Sequence, residues 1–360
     1  MTAMPLTYRE EIIQKIFSCI KSGESFYLIG APSSGKTRLL DFLMGDDPDA
    51  RRSGAKVDSH LRLKKQYLKT EAENTWLVRV DMNRVHKDLA VGWKFQFYEL
   101  LLNSILLTLQ GVSETDHSES IFKEASDLDP RVLESGDTLT AHRLLEIFIN
   151  RLRWKYNIKL CFLFDEFDDT YREMPLDVFS QLRAIRDANK YFVCYGLSLR
   201  ALPESLRQPG QNEGFFELIS SRMIGVGLYS KRDTLSIIEQ WEERHEKSLP
   251  PRQREWLWEQ SGGHPGLARA LFGLLTESPQ AASKLDNLEW FARQETVREE
   301  MRKIWEGLSK EEQAALQQIK RQNAKSIPLP IGKQLHAKGL IKFEKSNLTF
   351  FSPLFSYRVK

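Results

Sequence analysis

Residues 26–37 constrain the fold of this chain more than any other stretch. Four apolar residues run directly into a segment that fits the pattern G-x-x-x-x-G-K-[ST] without a gap, and a helix-like pattern follows at residues 38–43. A strand, a phosphate-binding loop and a helix, in that order, form the context in which this pattern binds nucleotide phosphates. The sequence therefore predicts a P-loop here, and a glycine-rich turn that fits by chance is the alternative.

Each residue type in this loop has a physical reason to be there. Gly30 and Gly35 let the backbone curl so that its N–H groups point at phosphate oxygens. Lys36 supplies a mobile positive charge for the β- and γ-phosphates, and Thr37 offers a hydroxyl to Mg²⁺ at the positive end of a helix. The residues expected to bind the nucleotide are Gly30, Ala31, Pro32, Ser33, Ser34, Gly35, Lys36, Thr37 and Arg38.

A second motif lies downstream, where an apolar run at residues 159–164 ends in Asp165 and Glu166. This is the Walker B pattern. Asp165 at the strand tip can hold Mg²⁺, and Glu166 can orient or deprotonate the attacking water. An acidic cluster alone is weak evidence, but together with the P-loop it predicts an ATPase that uses ATP/ADP and Mg²⁺.

Two polar residues follow the apolar run at residues 191–197, which reads as another core strand. Ser198 and Arg200 lie just past this strand, which we expect to neighbour the Walker B strand. Either side chain could sense the γ-phosphate. An ordinary ion pair in the loop is the alternative interpretation.

Strand-like and helix-like segments alternate through residues 1–230, which predicts an α/β fold: a parallel P-loop NTPase sheet with helices on both faces. Residues 231–306 are helical throughout and predict an all-α lid. Residues 307–360 run helix, helix, hairpin, with a capping box predicted at Ser309. That order is typical of a small winged-helix domain.

Two basic stretches leave nucleic-acid binding open. Residues 51–69 hold seven Lys and Arg against one Asp and read as an exposed insertion, either a solvated loop or a contact with phosphates or an acidic partner. Residues 308–360 hold ten Lys and Arg against three Glu. Against DNA binding, this tail also carries aromatic residues that predict a surface buried on the lid: Phe343, Phe350, Phe351 and Phe355.

Composition excludes several classes of protein. A net charge of +3 gives no global argument for nucleic acid. Cys19, Cys161 and Cys194 read as buried, reduced thiols. No apolar run approaches the roughly 20 residues of a membrane span, and the N-terminus lacks the pattern of a signal peptide. We therefore expect a cytoplasmic protein with no membrane partner.

Further motifs connect the chain to a known group. Gly263-His264-Pro265 matches a lid motif of the Gly-x-Pro type, residues 351–355 match a common C-terminal ending, and residues 8–10 loosely match an N-terminal motif. With both Walker motifs, they make the chain similar to the STAND branch of AAA+-related P-loop ATPases, in particular to prokaryotic AAA-like ATP-binding proteins with a helical lid and a C-terminal winged helix. The resemblance implies that His264 and Pro265 contact the nucleotide.

Related AAA+ assemblies also place an arginine finger near the position of Arg222, at the start of residues 220–228, which read as the last strand. A finger completes the nucleotide site of a neighbouring subunit. The alternative is a local ion pair with an acid such as Glu217.

The resemblance implies a regulatory switch in which ADP holds a closed monomer and ATP exchange permits assembly. Many members carry an effector domain before the ATPase and a sensor array after it. We expect neither here, so a separate effector protein or self-association would supply the output. The competing function is an ATP-dependent DNA-binding protein of the initiator or transposition-ATPase type, which a steep loss of DNA affinity with salt would reveal.

Overall fold

A computed structural model of the chain describes residues 4–45, 59–85, 92–110, 118–323, 327–344 and 347–359. None of the helices in this part combines the length and apolar character that crossing a bilayer requires. The helices, numbered in chain order, are α1 (Glu10–Ser22), α2 (Lys36–Met44), α3 (Ser59–Leu68), α4 (Trp93–Gln110), α5 (Ser118–Ser135), α6 (Thr138–Tyr156), α7 (Asp168–Glu173), α8 (Leu176–Ala188), α9 (Pro203–Leu206), α10 (Glu213–Ser220), α11 (Lys231–His245), α12 (Pro251–Ser261), α13 (Pro265–Glu277), α14 (Leu288–Arg293), α15 (Glu295–Glu306), α16 (Lys310–Lys320) and α17 (Leu329–Ala337).

Five strands form one sheet in the order β2-β3-β4-β1-β5, and two more form an antiparallel hairpin. β2 pairs with β3, and β3 with β4, in parallel register. The predicted α/β class with a parallel sheet is therefore confirmed. The strands are β1 (Phe26–Ile29), β2 (Thr75–Asp81), β3 (Lys159–Asp165), β4 (Val193–Leu199), β5 (Met223–Gly225), β6 (Ile341–Glu344) and β7 (Asn347–Phe350).

The two inner strands β3 and β4 explain why the sequence contains uninterrupted apolar runs. Every residue of β4 is buried, and Lys159 is the one residue of β3 that is not. Inner strands of parallel sheets are covered on both faces, so apolar residues occupy successive positions instead of alternating ones. The register places Asp81 opposite Asp165, which brings two carboxylates to the same edge of the sheet.

The chain divides into two compact units. The sheet unit consists of Gln14–Leu28 and Ser59–Met223, and the loop unit consists of Met1–Ile13, Ile29–Asp58 and Ile224–Lys360. The predicted domain boundaries after residues 230 and 306 stay predictions.

Aromatic side chains fill the core of the sheet unit. Phe164 on β3 stacks on Phe97 of α4 with ring centroids 6.2 Å apart, and it also contacts Phe167 at 4.8 Å and Tyr195 at 6.1 Å. Such side chains bury about 150–250 Å² each and dominate the energetics of a core. This packing fixes the end of β3, where Asp165 lies.

The cysteines are buried, free thiols, as the sequence predicts. Cys161 on β3 lies opposite Cys194 on β4 in the strand register. Burial raises the pKa of Cys19 to about 11 and also raises the pKa of Cys161. Because the thiolate is the reactive form, these thiols are inert.

The polar and acidic composition of residues 112–135 predicts a loop, and this prediction is wrong for the larger part of the segment, because α5 occupies Ser118–Ser135. The polar face of this amphipathic helix gave the sequence its loop-like composition. Its buried positions recur at helical spacing: Ile121, Ala125, Leu128 and Val132. Residues 112–117 lie outside the described residues.

The predicted exposed insertion at residues 51–69 is also wrong in its second half, which forms α3. Leu63 is buried, and Tyr67 stacks on Phe17 with ring centroids 5.1 Å apart. Lys64 is buried as well, and burial lowers its pKa to about 8. Residues 51–58 lie outside the described residues.

Helices α11 to α15 belong to the loop unit and cover residues 231–306, the segment predicted as a lid, and we call them the lid helices. Trp241 is buried against Phe272 at 5.5 Å, and the indole of Trp256 donates a hydrogen bond of 2.9 Å to the carbonyl of Leu285. Both α12 and α15 pack against α13. Helix α13 is therefore the central helix among α11 to α15.

The tail of the loop unit has the predicted order of helix, helix and hairpin in α16, α17 and β6–β7. Ser309 and Glu312 form the predicted capping box at the start of α16. Glu312 also pairs with Lys338 at 2.6 Å, and both side chains are only 1 % exposed. Removing one partner of such a buried pair is costly, since the other charge is left unpaired. The identification of this tail as a winged helix stays a prediction.

The tail packs on the lid through part of its aromatic set. Phe351 and Phe355 are buried, and the Ser352 hydroxyl donates to the carbonyl of Gln260 at 2.5 Å. The prediction is wrong for Phe343, which is 68 % exposed on β6.

Candidate functional site

Glycine is favoured at two positions of the loop between β1 and α2, at Gly35 by a positive φ and at Gly30 by a close side chain. Gly35 has φ +85°, and a Cβ there would lie 2.6 Å from the Tyr229 hydroxyl oxygen. A Cβ on Gly30 would lie 2.7 Å from the Ser34 hydroxyl oxygen. The positive φ at Gly35 disfavours any side chain, and at both positions a Cβ would force a neighbouring side chain to move.

The side chain of Lys36 folds back over the loop. Its ammonium donates to the carbonyl of Gly30 at 3.0 Å and to that of Ala31 at 3.1 Å. Lys36 is the first residue of α2, and its backbone N-cap, Gly35, has no side-chain cap. The positive helix end and the ammonium thus share the site where an anion is expected.

Ser34 provides a direct sign that the loop accepts a ligand. The residue is fully buried, and its hydroxyl has no hydrogen-bond partner among the described residues. Buried hydroxyls without a partner are rare because desolvation is costly. The loop therefore fits a group with polar oxygens, such as a phosphate.

Arg9, which precedes α1, holds the loop from the N-terminal side. Its guanidinium donates to the carbonyl of Ser34 at 2.6 Å and to that of Val226, and it lies 4.5 Å from the ring centroid of Tyr229. The Tyr8 hydroxyl bonds that of Tyr229 at 3.0 Å. Sequence reasoning did not predict this role, since no local pattern reports a contact between distant residues.

His264 connects the loop to the lid within the loop unit. Its Nδ1 accepts the N–H of Leu267 at 3.1 Å, so the proton resides on Nε2, which donates to the carbonyl of Pro32 at 2.9 Å. Burial lowers the pKa of His264 to about 4, with Lys36 and Arg9 adding to the effect and Glu300 opposing it. The imidazole is therefore neutral at physiological pH.

Two glycines outside the loop, one on α13 and one just after α15, lie where a Cβ would collide with the loop or with Glu300. A Cβ on Gly266 would lie 2.0 Å from a carboxylate oxygen of Glu300 and 2.8 Å from the Cβ of Ser33. A Cβ on Gly307, just after α15, would lie 2.1 Å from Cγ of Pro32. The Gly-x-Pro motif contacts the loop backbone through the His264 bond to the Pro32 carbonyl, and Pro265 is the first residue of α13. Glu300 is buried beside this contact and acts on the pKa of His264, and the sequence alone does not predict this role.

We predict a pH dependence of stability from His264. Between about pH 6.5 and pH 4 the unfolded chain binds a proton at this residue that the folded chain excludes. The free energy of unfolding should therefore fall as the pH falls through this window, by on the order of 3 kcal/mol. Urea titrations should show a flatter pH profile for His264→Asn, because asparagine keeps an N-cap acceptor but does not titrate. Parallel profiles for the two proteins would contradict the assignment.

The Walker B carboxylates lie in the sheet unit, and each is held by an arginine. Arg79 on β2 pairs with Asp165 at 2.8 Å, and the Asp165 side chain is only 4 % exposed. Arg200 pairs with Glu166, whose φ of +53° is unusual for a residue with a side chain. An Asp165 oxygen accepts the N–H of Glu166 at 3.1 Å. Sequence analysis does not predict the pairing of Arg79 with Asp165, because an arginine within an apolar strand gives no local indication of its partner.

Ser198 and Arg200, the two predicted γ-phosphate sensors, lie in different surroundings. Ser198 lies within β4, not after it as predicted, and its buried hydroxyl has no partner among the described residues. The backbone N–H of Arg200 bonds Asp168 at 2.9 Å, and that of Ala201 bonds the same carboxylate at 3.1 Å. Asp168 therefore fixes the backbone that carries Arg200.

Arg222 forms an ion pair, but its partner is Glu24 and not the predicted Glu217. The two guanidinium nitrogens bind the carboxylate at 2.8 and 3.0 Å. Glu217 instead contacts Arg183 at 3.3 Å. The segment predicted as the last strand is also shorter, since β5 covers Met223–Gly225. Arg222 thus precedes this strand on an exposed surface.

The predicted site residues divide between the two units. The loop unit holds residues 30–38, His264 and Pro265, and the sheet unit holds Asp165, Glu166, Ser198, Arg200 and Arg222. Within the described residues no group of His, Cys, Asp or Glu forms a ready metal cluster. The Thr37 hydroxyl and the Asp165 carboxylate are each oxygen donors of the kind that Mg²⁺ prefers, but they belong to different units, and the Mg²⁺ site stays a prediction.

Comparisons with known proteins agree with this architecture. No protein-family profile and no curated protein matches the chain. Among solved structures, the ORC2 protein of Aeropyrum pernix, in its ADPNP–ADP complexes, has a TM-score of 0.48 at 13% identity, covering 98% of this chain and 90% of that one. The ORC1 protein of the same organism, in complex with DNA, has a TM-score of 0.42 at 11% identity, covering 98% and 91%. The Walker-type ATPase of Pyrococcus abyssi has a TM-score of 0.54 at 14% identity, covering 98% of this chain and 95% of that one, so the chain shares the fold of that protein.

Proposed function

We propose that this chain binds ATP with Mg²⁺, hydrolyses it to ADP and phosphate, and acts as a regulatory switch for a separate protein partner. The observation that carries the proposal is the loop before α2. It combines a glycine at φ +85°, a lysine at the helix N-terminus and a buried hydroxyl without a partner. These are the features that a phosphate group would satisfy together.

The residues have distinct roles in this proposal. Lys36 and the loop amides neutralise the phosphates, and Thr37 and Asp165 hold Mg²⁺. The metal, when bound, stabilises charge that develops on the phosphate oxygens. Glu166 accepts the proton of the attacking water. Glu166 takes up this role once its carboxylate is released from Arg200.

Contacts within the loop unit support a switch rather than a simple hydrolase. The loop peptides that would bind phosphate carry carbonyls already bonded to side chains from elsewhere in the unit: Ser34 to Arg9, and Pro32 to His264 at the start of α13. Reorienting a loop peptide around a phosphate changes these bonds. The nucleotide state is thereby transmitted to the lid.

Assembly could involve a second copy or an effector protein. In the self-associating case, Arg222 would act as a finger on a neighbour's site after leaving Glu24. A second candidate function is DNA binding, which the exposed Lys342 and Phe343 on β6 favour. Phe351 is buried and Ser352 bonds Gln260 of the lid helices, so this part of the tail has a structural role within the chain. This structural role favours the switch over DNA binding.

One experiment separates these functions. The purified chain is incubated with Mg²⁺ and ATP, ADP or no nucleotide, while phosphate release and hydrogen exchange of the backbone amides of His264 and residues 266–268 are measured. We expect phosphate release with ATP and different exchange in the ATP and ADP states. Absence of phosphate release would refute the ATPase, and identical exchange would refute the switch. Duplex DNA added across a salt series would favour the second candidate if ATP-dependent binding fell steeply with salt.

A further inference from the structure

Helix α6 presents large apolar side chains to solvent on its outer side. Leu139 is 54 %, Ile147 45 % and Trp154 74 % exposed. The inner side of the helix is already packed, with Leu145, Phe148, Ile149 and Leu152 buried. The outer apolar residues are therefore surplus to the core of the sheet unit.

These residues form a continuous stripe with two arginines between them. Leu139, Arg143, Ile147, Arg151 and Trp154 follow one another at steps of four, four, four and three residues. That spacing places them on a single helical face. We call this set the α6 face, and its length is about 22 Å at the rise of an α-helix.

The charge on this face is basic. Arg143 forms no ion pair with any residue that the structure describes. Arg151 and Lys155 both approach Glu124 of α5, with Arg151 at 3.7 Å and Lys155 at 2.5 Å. Helix α6 carries four basic side chains, Arg143, Arg151, Arg153 and Lys155, and the acids beside them are Glu146 on α6, Glu124 on α5 and Asp137 at the start of α6. The basic side chains therefore exceed the acidic ones by one.

Trp154 is held in place although it is exposed. The guanidinium of Arg153 lies 4.2 Å from the Trp154 ring centroid and 5.1 Å from that of Phe192, and it donates to the carbonyl of Ala188. A fixed tryptophan loses little conformational freedom on binding. Trp and Arg are also the residues that most often dominate binding energy at protein interfaces.

We propose that the α6 face is the docking site for an acidic amphipathic helix of a separate protein. A stripe of this length, in which Leu139, Ile147 and Trp154 alternate with arginines, fits one face of an amphipathic helix, and helix docking is a recurring mode of peptide recognition. Arg143 and Arg151 within the stripe, and Lys155 beside it, select carboxylates on the partner. The inference goes beyond the proposed nucleotide switch and does not depend on it.

Two helix-forming peptides with the same apolar pattern serve as probes, one with glutamates and the other with lysines on the flanking positions. Binding is measured by fluorescence anisotropy without nucleotide, so failure of the ATPase proposal does not affect the result. We expect the acidic peptide to bind and the basic peptide not to bind. The combined substitution Ile147→Ser and Trp154→Ser should weaken binding at least about thirtyfold.

Leu176→Ser on α8 is the matched control, because Leu176 is 48 % exposed on another helix of the same unit and should leave binding unchanged. Thermal melting checks that each variant is folded, and Arg143→Glu, which removes no apolar surface, should weaken the acidic peptide independently. Lack of binding by the acidic peptide, or equal binding by both peptides, would overturn the proposal. So would self-association of the chain, seen by sedimentation, that Ile147→Ser with Trp154→Ser abolishes.

Discussion

Substituting Lys36 by alanine should abolish measurable ATP binding, with a loss of affinity of about 100-fold or more. The ammonium lies over the loop and bonds the carbonyls of Gly30 and Ala31, so it is held where phosphate oxygens would arrive. Its removal takes away the cation that the loop itself offers to the β- and γ-phosphates. Calorimetric titration with ATP in Mg²⁺ measures the effect.

Two controls make this result specific. Lys15→Ala removes an exposed lysine of α1 and should leave ATP affinity unchanged. Thermal melting without nucleotide reports whether the loss of the two carbonyl contacts destabilises the fold. Undiminished ATP affinity in a folded Lys36→Ala protein would remove the loop from the nucleotide site.

The second large effect is expected for Glu166→Gln, which should slow ATP hydrolysis by about 10²- to 10⁴-fold while ATP remains bound. Glutamine keeps the shape of the side chain and its bond with Arg200, but its amide cannot accept a proton from water. Phosphate release under single-turnover conditions, measured beside calorimetric ATP affinity, separates chemistry from binding.

Asp168→Asn is the informative comparison, because Asp168 is the nearest alternative base in the sequence. Its carboxylate accepts the backbone N–H groups of Arg200 and Ala201, which gives it a structural use. We expect a smaller kinetic effect than that of Glu166→Gln. Wild-type turnover in Glu166→Gln, combined with loss in Asp168→Asn, would reassign the base.

The parts of the fold that could be predicted from sequence are those where a local pattern has one physical solution. The P-loop between β1 and α2 favours glycine at positions 30 and 35, and the apolar run before Asp165 could only be a buried strand. The capping box at Ser309 is likewise a local device. In each case the residues that carry the signal also make the contact.

Predictions failed where surface composition hid an amphipathic pattern. The composition of α5 favours a loop, because its polar residues outnumber the four buried apolar residues on its inner side. The residues that hold the loop between β1 and α2 in place are not predictable from the sequence for another reason. Arg9, Tyr229 and Glu300 come from distant parts of the chain, and no spacing in a single sequence links them to residues 30–37.

The separation along the chain between the loop and its supports has a consequence for synthesis on the ribosome. Arg9 bonds Val226 and His264 bonds Pro32, across separations of 217 and 232 residues. A nascent chain that has emerged to residue 230 contains both Walker motifs but lacks the lid side of the loop unit. The native loop can therefore form only after most of the chain has been translated. A premature stop after residue 230 would yield a product that carries both Walker motifs but not the lid contacts that hold the loop between β1 and α2.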